Sequence, residues 1–197
     1  MLLSLKKLKF MPEQYFIYEG HIMANLLLEE VKYKIEETDF GIWRRYGYIN
    51  GTSYHEFKSH KQLFGIPLVH YTYGRNPETG RRRIAKGIIA VGRLACGVVA
   101  IGHASLGLLV IGQLAIGIVF GLGQLSTGLT AVGQAAISLY CGVGQFASGY
   151  IAIGQFAVGK YVLAQGGIGE FVLSMKRADP QAIEFFKSLP VIRYFIP

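Results

Sequence analysis

The sequence predicts a mainly β protein on three observations. A glycine recurs at nearly every fifth position between residues 84 and 173, an Asn50-Gly51 pair sits between aromatic-rich flanks, and a long uncharged run carries glycines that fall on no single helical face. With 197 residues the chain is long enough for one domain with appendages. Charged residues make up only 16% while glycine reaches 26 copies, so glycine here carries structural information. Four segments follow: a mixed N-terminal extension (1–40), a β-hairpin segment (41–83), a glycine-rich repeat domain (84–173), and a C-terminal helix with its tail (174–197).

The extension opens with "MLLSLKKLKF", basic and partly apolar. It reads as an interfacial anchor or as a frayed start, and no signal-peptide core or cleavage site follows it. "ANLLLEEVKYKIEE" suits an amphipathic helix, yet Val31, Tyr33 and Ile35 alternate with lysines as a strand would, and the sequence leaves both open.

In "RRYGYINGTSYHEF", Asn50 and Gly51 both tolerate positive φ, which makes this the strongest short hairpin signal in the chain. Asn50-Gly51-Thr52 also matches a glycosylation acceptor, a reading that the missing secretory signal disfavours. "RNPETG" is a turn, with Pro77 fixing φ and Gly80 releasing it.

Within the repeat, glycines fall at 87, 92, 97, 102, 107, 112 and 117, then 123, 128 and 133, then 144, 149, 154 and 159. One residue is added before Gly123 and another before Gly144, beside Gly121 and Gly142, as regularly placed bulges would be. Hydropathy alone would call this block transmembrane helices. A five-residue step advances about 140° on a helix, however, which scatters the glycines over every face, and each would cost about 1 kcal/mol relative to alanine. Five glutamines, from Gln113 to Gln155, would also lie inside such helices.

If each glycine and its successor form a turn, the three residues between turns read large, small, large, as in Val99-Ala100-Ile101 or Phe156-Ala157-Val158. In an extended strand this sends the large pair to one face, expected to pack, and the small residue to the other. Strands running up and down would sort the residues after each glycine into two rims. A polar rim holds Arg93, His103, Gln113, Gln124, Gln134, Gln145 and Gln155. An apolar rim holds Val98, Leu108, Ile118, Leu129, Leu139 and Tyr150, with Ser138 replacing one glycine and Lys160 breaking the series. Strands of about 10 to 17 Å are too short to span a hydrocarbon core of about 30 Å as a porin does. The expected architecture is a shallow, barrel-like ring of very short hairpins. The alternative is a β-solenoid with four five-residue sides per coil.

The stretch "LFGIPLVHYTYGRNPETGRRRIAKGIIAVG" and the A-I-G repeats after it resemble uncharacterised, mostly bacterial glycine-rich proteins of the β-flower fold, a shallow barrel with hairpin petals. The resemblance covers roughly residues 59 to 173. It implies a fold and carries no activity or site residue with it.

In the tail, "ADPQAIEFFKSLP" places Asp179 as N-cap and Pro180 at the first helical position, with Ile183, Phe186 and Leu189 on one side. This helix is expected to pack on the repeat.

Chemistry is sparse. Two aspartates, Asp39 and Asp179, do not make a paired-carboxylate site. His55 and His60 flank Glu56 without metal spacing, and His70 reads as a structural hydrogen-bonding group. Cys96 and Cys141 have no CxxC or ligand spacing and read as small apolar fillers in a reducing compartment. No phosphate loop, cofactor motif or metal motif is present.

The formal charge is +8, and from Arg75 to Arg93 six cations (Arg75, Arg81, Arg82, Arg83, Lys86 and Arg93) face the single acid Glu78. From Leu94 to Gly159 there is no formal charge. Arg81, Arg82, Arg83 and Lys86 therefore read as contacts to an anionic lipid surface, with no nucleic-acid motif beside them. The leading expectation is a non-enzymatic, membrane-surface or lipid-associated β module in the cytoplasm or on the cytoplasmic face of a membrane. Two alternatives are a soluble ligand-binding protein or enzyme using the polar rim around His103, and a homo-oligomer assembled through the apolar rim.

Overall fold

A computed structural model describes residues 16–18, 21–23, 31–190 and 192–195. The strands are β1 (Phe16–Tyr18), β2 (His21–Met23), β3 (Lys34–Thr38), β4 (Gly41–Gly47), β5 (Ser53–Ser59), β6 (Gln62–Leu63), β7 (Ile66–Pro67), β8 (Val69–Tyr73), β9 (Ala85–Gly92) and β10, an 80-residue run of extended backbone from Leu94 to Leu173. A helix, α1 (Pro180–Ser188), and a 3-10 turn (Ile192–Phe195) follow. The anchor reading of residues 1–10 and the first half of the helix-or-strand question over 24–37, residues 24–30, lie outside the described residues. In the described half, 31–33 carries no regular structure and Lys34–Thr38 is strand, paired antiparallel with β4.

The Asn50-Gly51 hairpin forms. β4 and β5 pair antiparallel from Gly41↔Ser59 to Gly47↔Ser53, Gly51 takes φ 81°, and Asn50 Oδ1 accepts from the Thr52 backbone N–H and hydroxyl. β6 and β7 make a second, smaller hairpin whose two central residues, Phe64 (φ 53°) and Gly65 (φ 76°), are both left-handed. The Arg75–Gly80 turn closes through Gly80 N–H on the Asn76 carbonyl, and Gly80 takes φ 63°.

In the repeat the structure departs from the hairpin expectation. β9 and β10 pair parallel, each residue beside the one ten positions earlier: Ala95 with Ala85, Gly97 with Gly87, Ala100 with Ala90. Antiparallel up-and-down strands cannot give that register. The chain returns alongside itself every ten residues, where the four five-residue sides of the solenoid alternative would need twenty. Far along β10 the same step stacks Tyr140 on Tyr150, Phe146 on Phe156 and Tyr161 on Phe171. The sheet order is β10-β9-β8-β5-β4-β3, and no closed barrel forms among the described residues.

The role of glycine differs accordingly. Among the repeat glycines only Gly149 has positive φ, so the others supply no special turn angle. They permit close approach instead: a β-carbon on Gly102 would land on the Gly92 carbonyl oxygen, and one on Gly144 would land on that of Gly133. The second pair is eleven residues apart, so the extra residue beside Gly142 is absorbed without losing the stack.

The large and small faces are also reversed from expectation. The small residue of each triplet is interior: Ala85, Ala90, Ala95, Ala100, Ala115, Ala131, Ala136, Ala147, Ala152 and Ala157 are buried, with Ser105, Val110, Ser126 and Val162 in the same series. Many of the large residues are exposed instead, whereas Ile151 is buried against α1. Gly121 and Gly142, at the added residues, are themselves buried.

Pro180 occupies the first turn of α1 and the helix stops before Pro190. Asp179 is the N-cap residue but makes no side-chain cap; its carboxylate accepts from the Val172 backbone N–H and from Arg177. α1 buries Ala182 and Phe186 against Ile151 and stacks Phe185 on Tyr161, so it lies on the outer wall of the last coils.

Candidate functional site

The parallel register sets residues ten apart side by side in the repeat. The polar series Arg93, His103, Gln113, Gln124, Gln134, Gln145 and Gln155 and the apolar series Val98, Leu108, Ile118, Leu129, Leu139 and Tyr150 each advance by ten or eleven residues, and all thirteen are exposed. Leu139 is 80% and Ile118 67% accessible. Other exposed residues of the repeat are apolar as well, among them Leu109, Ile111, Ile116, Val119, Phe146 and Phe156. Lys160, which interrupts the apolar edge, pairs with Glu170 at 3.6 Å and lies 5.8 Å from the centre of the Tyr150 ring.

Where the repeat meets the hairpin segment, one face of β5 and β8 is polar and buried. Tyr54 and Glu56 alternate on β5, and His70 and Thr72 on β8, with Glu56 opposite Thr72 and Lys58 opposite His70 in the ladder. The Glu56 carboxylate is 2% accessible and has four partners. Tyr54 donates to Oε2 at 3.0 Å, Arg83 donates to Oε2 at 3.1 Å, His70 Nε2 approaches Oε1 at 3.1 Å, and Lys58 Nζ lies 3.5 Å from Oε1.

His70 Nδ1 lies 2.8 Å from the Lys86 backbone N and 3.1 Å from its carbonyl oxygen; with the shorter contact taken as Lys86 N–H donating to Nδ1, Nε2 carries the proton and donates to Glu56. Burial alone would raise the Glu56 pKa. The His70 hydrogen bond, the Arg83 and Lys58 charges and the Tyr54 hydroxyl outweigh burial and hold it down at about 2. The Tyr54 phenol is pushed up to about 12 by burial and by the adjacent carboxylate. With both oxygens occupied, Glu56 is a buried anchor for the segment that ends at Arg83, and no lone pair is left free for base chemistry.

The basic cluster is distributed by this anchoring. Arg83 is committed to Glu56, and Arg81 is exposed. Arg82 lines a cleft of about 670 Å³ together with Arg75, Arg93, Tyr48, Ser53 and Tyr73. Lys86 lines a second cleft of about 550 Å³ with Lys58, Gln62 and His70, beside the β6–β7 tip. That tip exposes Leu63, Phe64 and Ile66, with Phe64 at 93%. Arg93 and His103 share a shallow hollow of about 450 Å³ with Tyr71, Tyr73 and Ile101. An apolar hollow of about 570 Å³ lies between α1 and the last coils, lined by Leu163, Leu173, Met175 and Ile183.

Among the described residues no group of three or more His, Cys, Asp or Glu side chains is placed to hold a metal. His55 bonds the Ser53 hydroxyl and His60 the Thr38 carbonyl, so these two histidines serve separate turns. Cys96 and Cys141 are free, and burial pushes the Cys141 thiol pKa up, away from reactivity. Sequence reasoning missed the Glu56 anchor and the cleft containing Arg75. The two-residue alternation of Tyr54 and Glu56 was a usable signal for burial on one face. His70 is brought to Glu56 by the antiparallel β5–β8 pairing, and Arg83 arrives on the approach to β9, which runs parallel to β8; no local pattern announces either.

Comparison with known protein families, with curated proteins and with solved structures finds no match to this chain.

Proposed function

We propose that this protein is a non-enzymatic, lipid-associated β module. Its repeat is read as a two-walled β-solenoid that enters one leaflet by its Val98–Tyr150 edge, and its basic segment meets anionic headgroups. The observation that carries this reading is the inverted body: large apolar side chains face outward on both walls and one edge, with no formal charge from Leu94 to Gly159. Exposed apolar surface this continuous marks an interaction site.

Dimension and chemistry support the same orientation. A five-residue side at about 3.3 Å per residue reaches about 16 Å, close to one leaflet of a hydrocarbon core about 30 Å thick. With the apolar edge down, the glutamine edge lies at the headgroup level, where amides stay hydrated. Where β9 pairs with the start of β10, the ladder satisfies backbone groups between successive turns, as a lipid-facing β surface requires. The β6–β7 tip adds a second apolar contact beside Lys58 and Lys86. Two free thiols support a reducing compartment and hence the cytoplasmic face of a membrane. Kinship with the A-I-G repeat proteins belongs to this proposal too, with the parallel register favouring a solenoid over a ring of hairpins.

Flotation of the purified protein with anionic liposomes tests the reading. The protein is expected to float, and the Leu108→Gln/Leu129→Gln double variant is expected to float less. Equal recovery in the soluble fraction with and without anionic lipid rejects the proposal, and a concentration-dependent mass in the absence of lipid transfers the apolar edge to self-assembly.

A further inference from the structure

The largest of the four clefts described above, about 670 Å³, is formed by three separate pieces of chain: the hairpin turn at Tyr48–Ser53, the turn from Tyr73 to Arg82, and the first corner of the winding at Arg93. Its volume lies in the range of small-molecule sites. Three arginines line it and no aspartate or glutamate does. None of the ion pairs among the described residues involves Arg75, Arg82 or Arg93. Three solvent-exposed arginines therefore line one concavity without a carboxylate in an ion pair with any of them, while the neighbouring Arg83 is paired with Glu56 at 3.1 Å.

A concavity lined by three cationic side chains and no acid favours an anion, and the planar guanidinium fork matches phosphate oxygens in pairs. The walls of the cleft are built to hold that geometry. Tyr48 donates its hydroxyl to the Arg75 carbonyl at 2.8 Å, tying the hairpin turn to the arginine-bearing turn. Pro77 and Asn76 are buried, with Asn76 Oδ1 accepting from the Glu78 backbone N–H at 2.8 Å. The Arg93 carbonyl accepts from both His103 and Ala104 N–H, which fixes the base of the third arginine to the next coil. Ser53 and the Tyr73 ring supply a hydroxyl and an exposed aromatic face beside the charges.

We propose that the Arg75–Arg82–Arg93 cleft is a binding site for a phosphate monoester or diphosphate, the anion being held by the three guanidinium groups and the organic part lying toward Tyr48 and Tyr73. The proposal stands apart from the lipid-associated reading, because the same phosphate chemistry occurs on a soluble metabolite and on a lipid headgroup. A diphosphate uses more of the available donors than a phosphodiester, which offers only two unbridged oxygens, so selectivity for terminal or doubled phosphate is a property of this site and not of general surface charge.

The test is titration of the full chain with inorganic pyrophosphate, followed by calorimetry and by thermal shift, and in parallel by binding to vesicles of phosphatidylcholine containing either phosphatidic acid or phosphatidylglycerol at equal surface charge. Saturable pyrophosphate binding is expected, weakened at least tenfold by Arg75→Gln and by Arg82→Gln, and little changed by Arg81→Gln, whose side chain is outside the cleft. Arg82→Lys is expected to recover part of the loss, and circular dichroism of each variant separates lost binding from lost fold. Pyrophosphate that also displaces the protein from phosphatidic acid vesicles assigns the phosphate to a headgroup; pyrophosphate binding with no preference for phosphatidic acid assigns it to a soluble ligand. Absence of saturable pyrophosphate binding together with equal binding to the two vesicle types, or equal losses in Arg81→Gln and Arg82→Gln, overturns the site and leaves the lipid-associated reading standing on its own.

Discussion

Gly102 lies over Gly92 so closely that a β-carbon at the first would occupy the position of the carbonyl oxygen of the second. The relationship recurs at Gly133 over Gly123 and at Gly154 over Gly144, so one corner of the winding is a column of glycines stacked backbone on backbone. Contact of this kind tolerates no side chain, since the atom displaced belongs to the main chain of the next coil.

Gly133→Ala is therefore expected to destabilise the fold by about 1–3 kcal/mol or more, the usual cost of forcing extra volume into a packed site. Gly166→Ala is the internal control. An added β-carbon there meets nothing within 4 Å and the backbone carries no positive φ, so the change is neutral or stabilises by up to about 1 kcal/mol through the unfolded chain. Thermal unfolding followed by far-UV circular dichroism reads both, and equal melting temperatures for the two variants would refute the stacked-corner account.

The inverted body makes a second comparison unusual. Ala136 is fully buried between the walls, whereas Leu139 is 80% accessible on the apolar edge. Ala136→Leu is expected to cost about 1–3 kcal/mol by overpacking, and Leu139→Ala only about 0.5 kcal/mol or less in water. In an ordinary core the larger loss comes from the large-to-small change. Chemical denaturation midpoints measure both. A larger effect at Leu139 than at Ala136 would mean that the large face is the packed one.

Glu56 gives the fold a defined acid response. Its pKa falls from an ordinary value of 4.5 to about 2 in the folded chain, so the unfolded state binds the proton more readily. The stabilisation from Glu56 is thus fully present above pH 4.5 and is lost as pH falls toward 2, on the order of 3 kcal/mol in all. Asp179, also lowered by its bonds to Val172 and Arg177, acts in the same direction. Glu56→Gln is expected to be less stable than the native chain at pH 7 and to approach it at pH 2. A difference between the two that stays constant from pH 7 to pH 2 would show that Glu56 is not held ionised.

How much of this was legible in the sequence depends on the range of the signal. Asn50-Gly51, Pro77 with Gly80, and Pro180 at the start of α1 are local, and each turn or helix start formed where its residues placed it. The five-residue step marked the β repeat, yet the same step serves antiparallel hairpins and a parallel winding equally. What separates them is whether residue 95 lies beside 85, a ten-residue relation that glycine spacing does not encode. The large-small-large triplet fixed the alternation of faces and left their assignment open, because only the glycine contact across coils forces the small residue inward. Arg75, Arg82 and Arg93 are separated by seven and eleven positions in the sequence, and they meet only because β8 and β9 run parallel.

Phe64 separates a functional role from a structural one in a single substitution. It holds φ 53°, a left-handed conformation that a bulky residue adopts at a cost of about 1–2 kcal/mol, and its ring is 93% accessible, so the fold gains little from it in return. Glycine in its place would relieve the strain and leave the Gln62↔Pro67 and Leu63↔Ile66 pairings of the small hairpin unaffected. Phe64→Gly is accordingly expected to raise the melting temperature or leave it unchanged, while reducing flotation with anionic liposomes several-fold, since a ring and its neighbours Leu63 and Ile66 then insert less apolar area beside Lys58 and Lys86. If flotation is untouched while stability rises, the exposed tip is not a lipid contact, and the apolar edge of the winding must account for membrane binding without it.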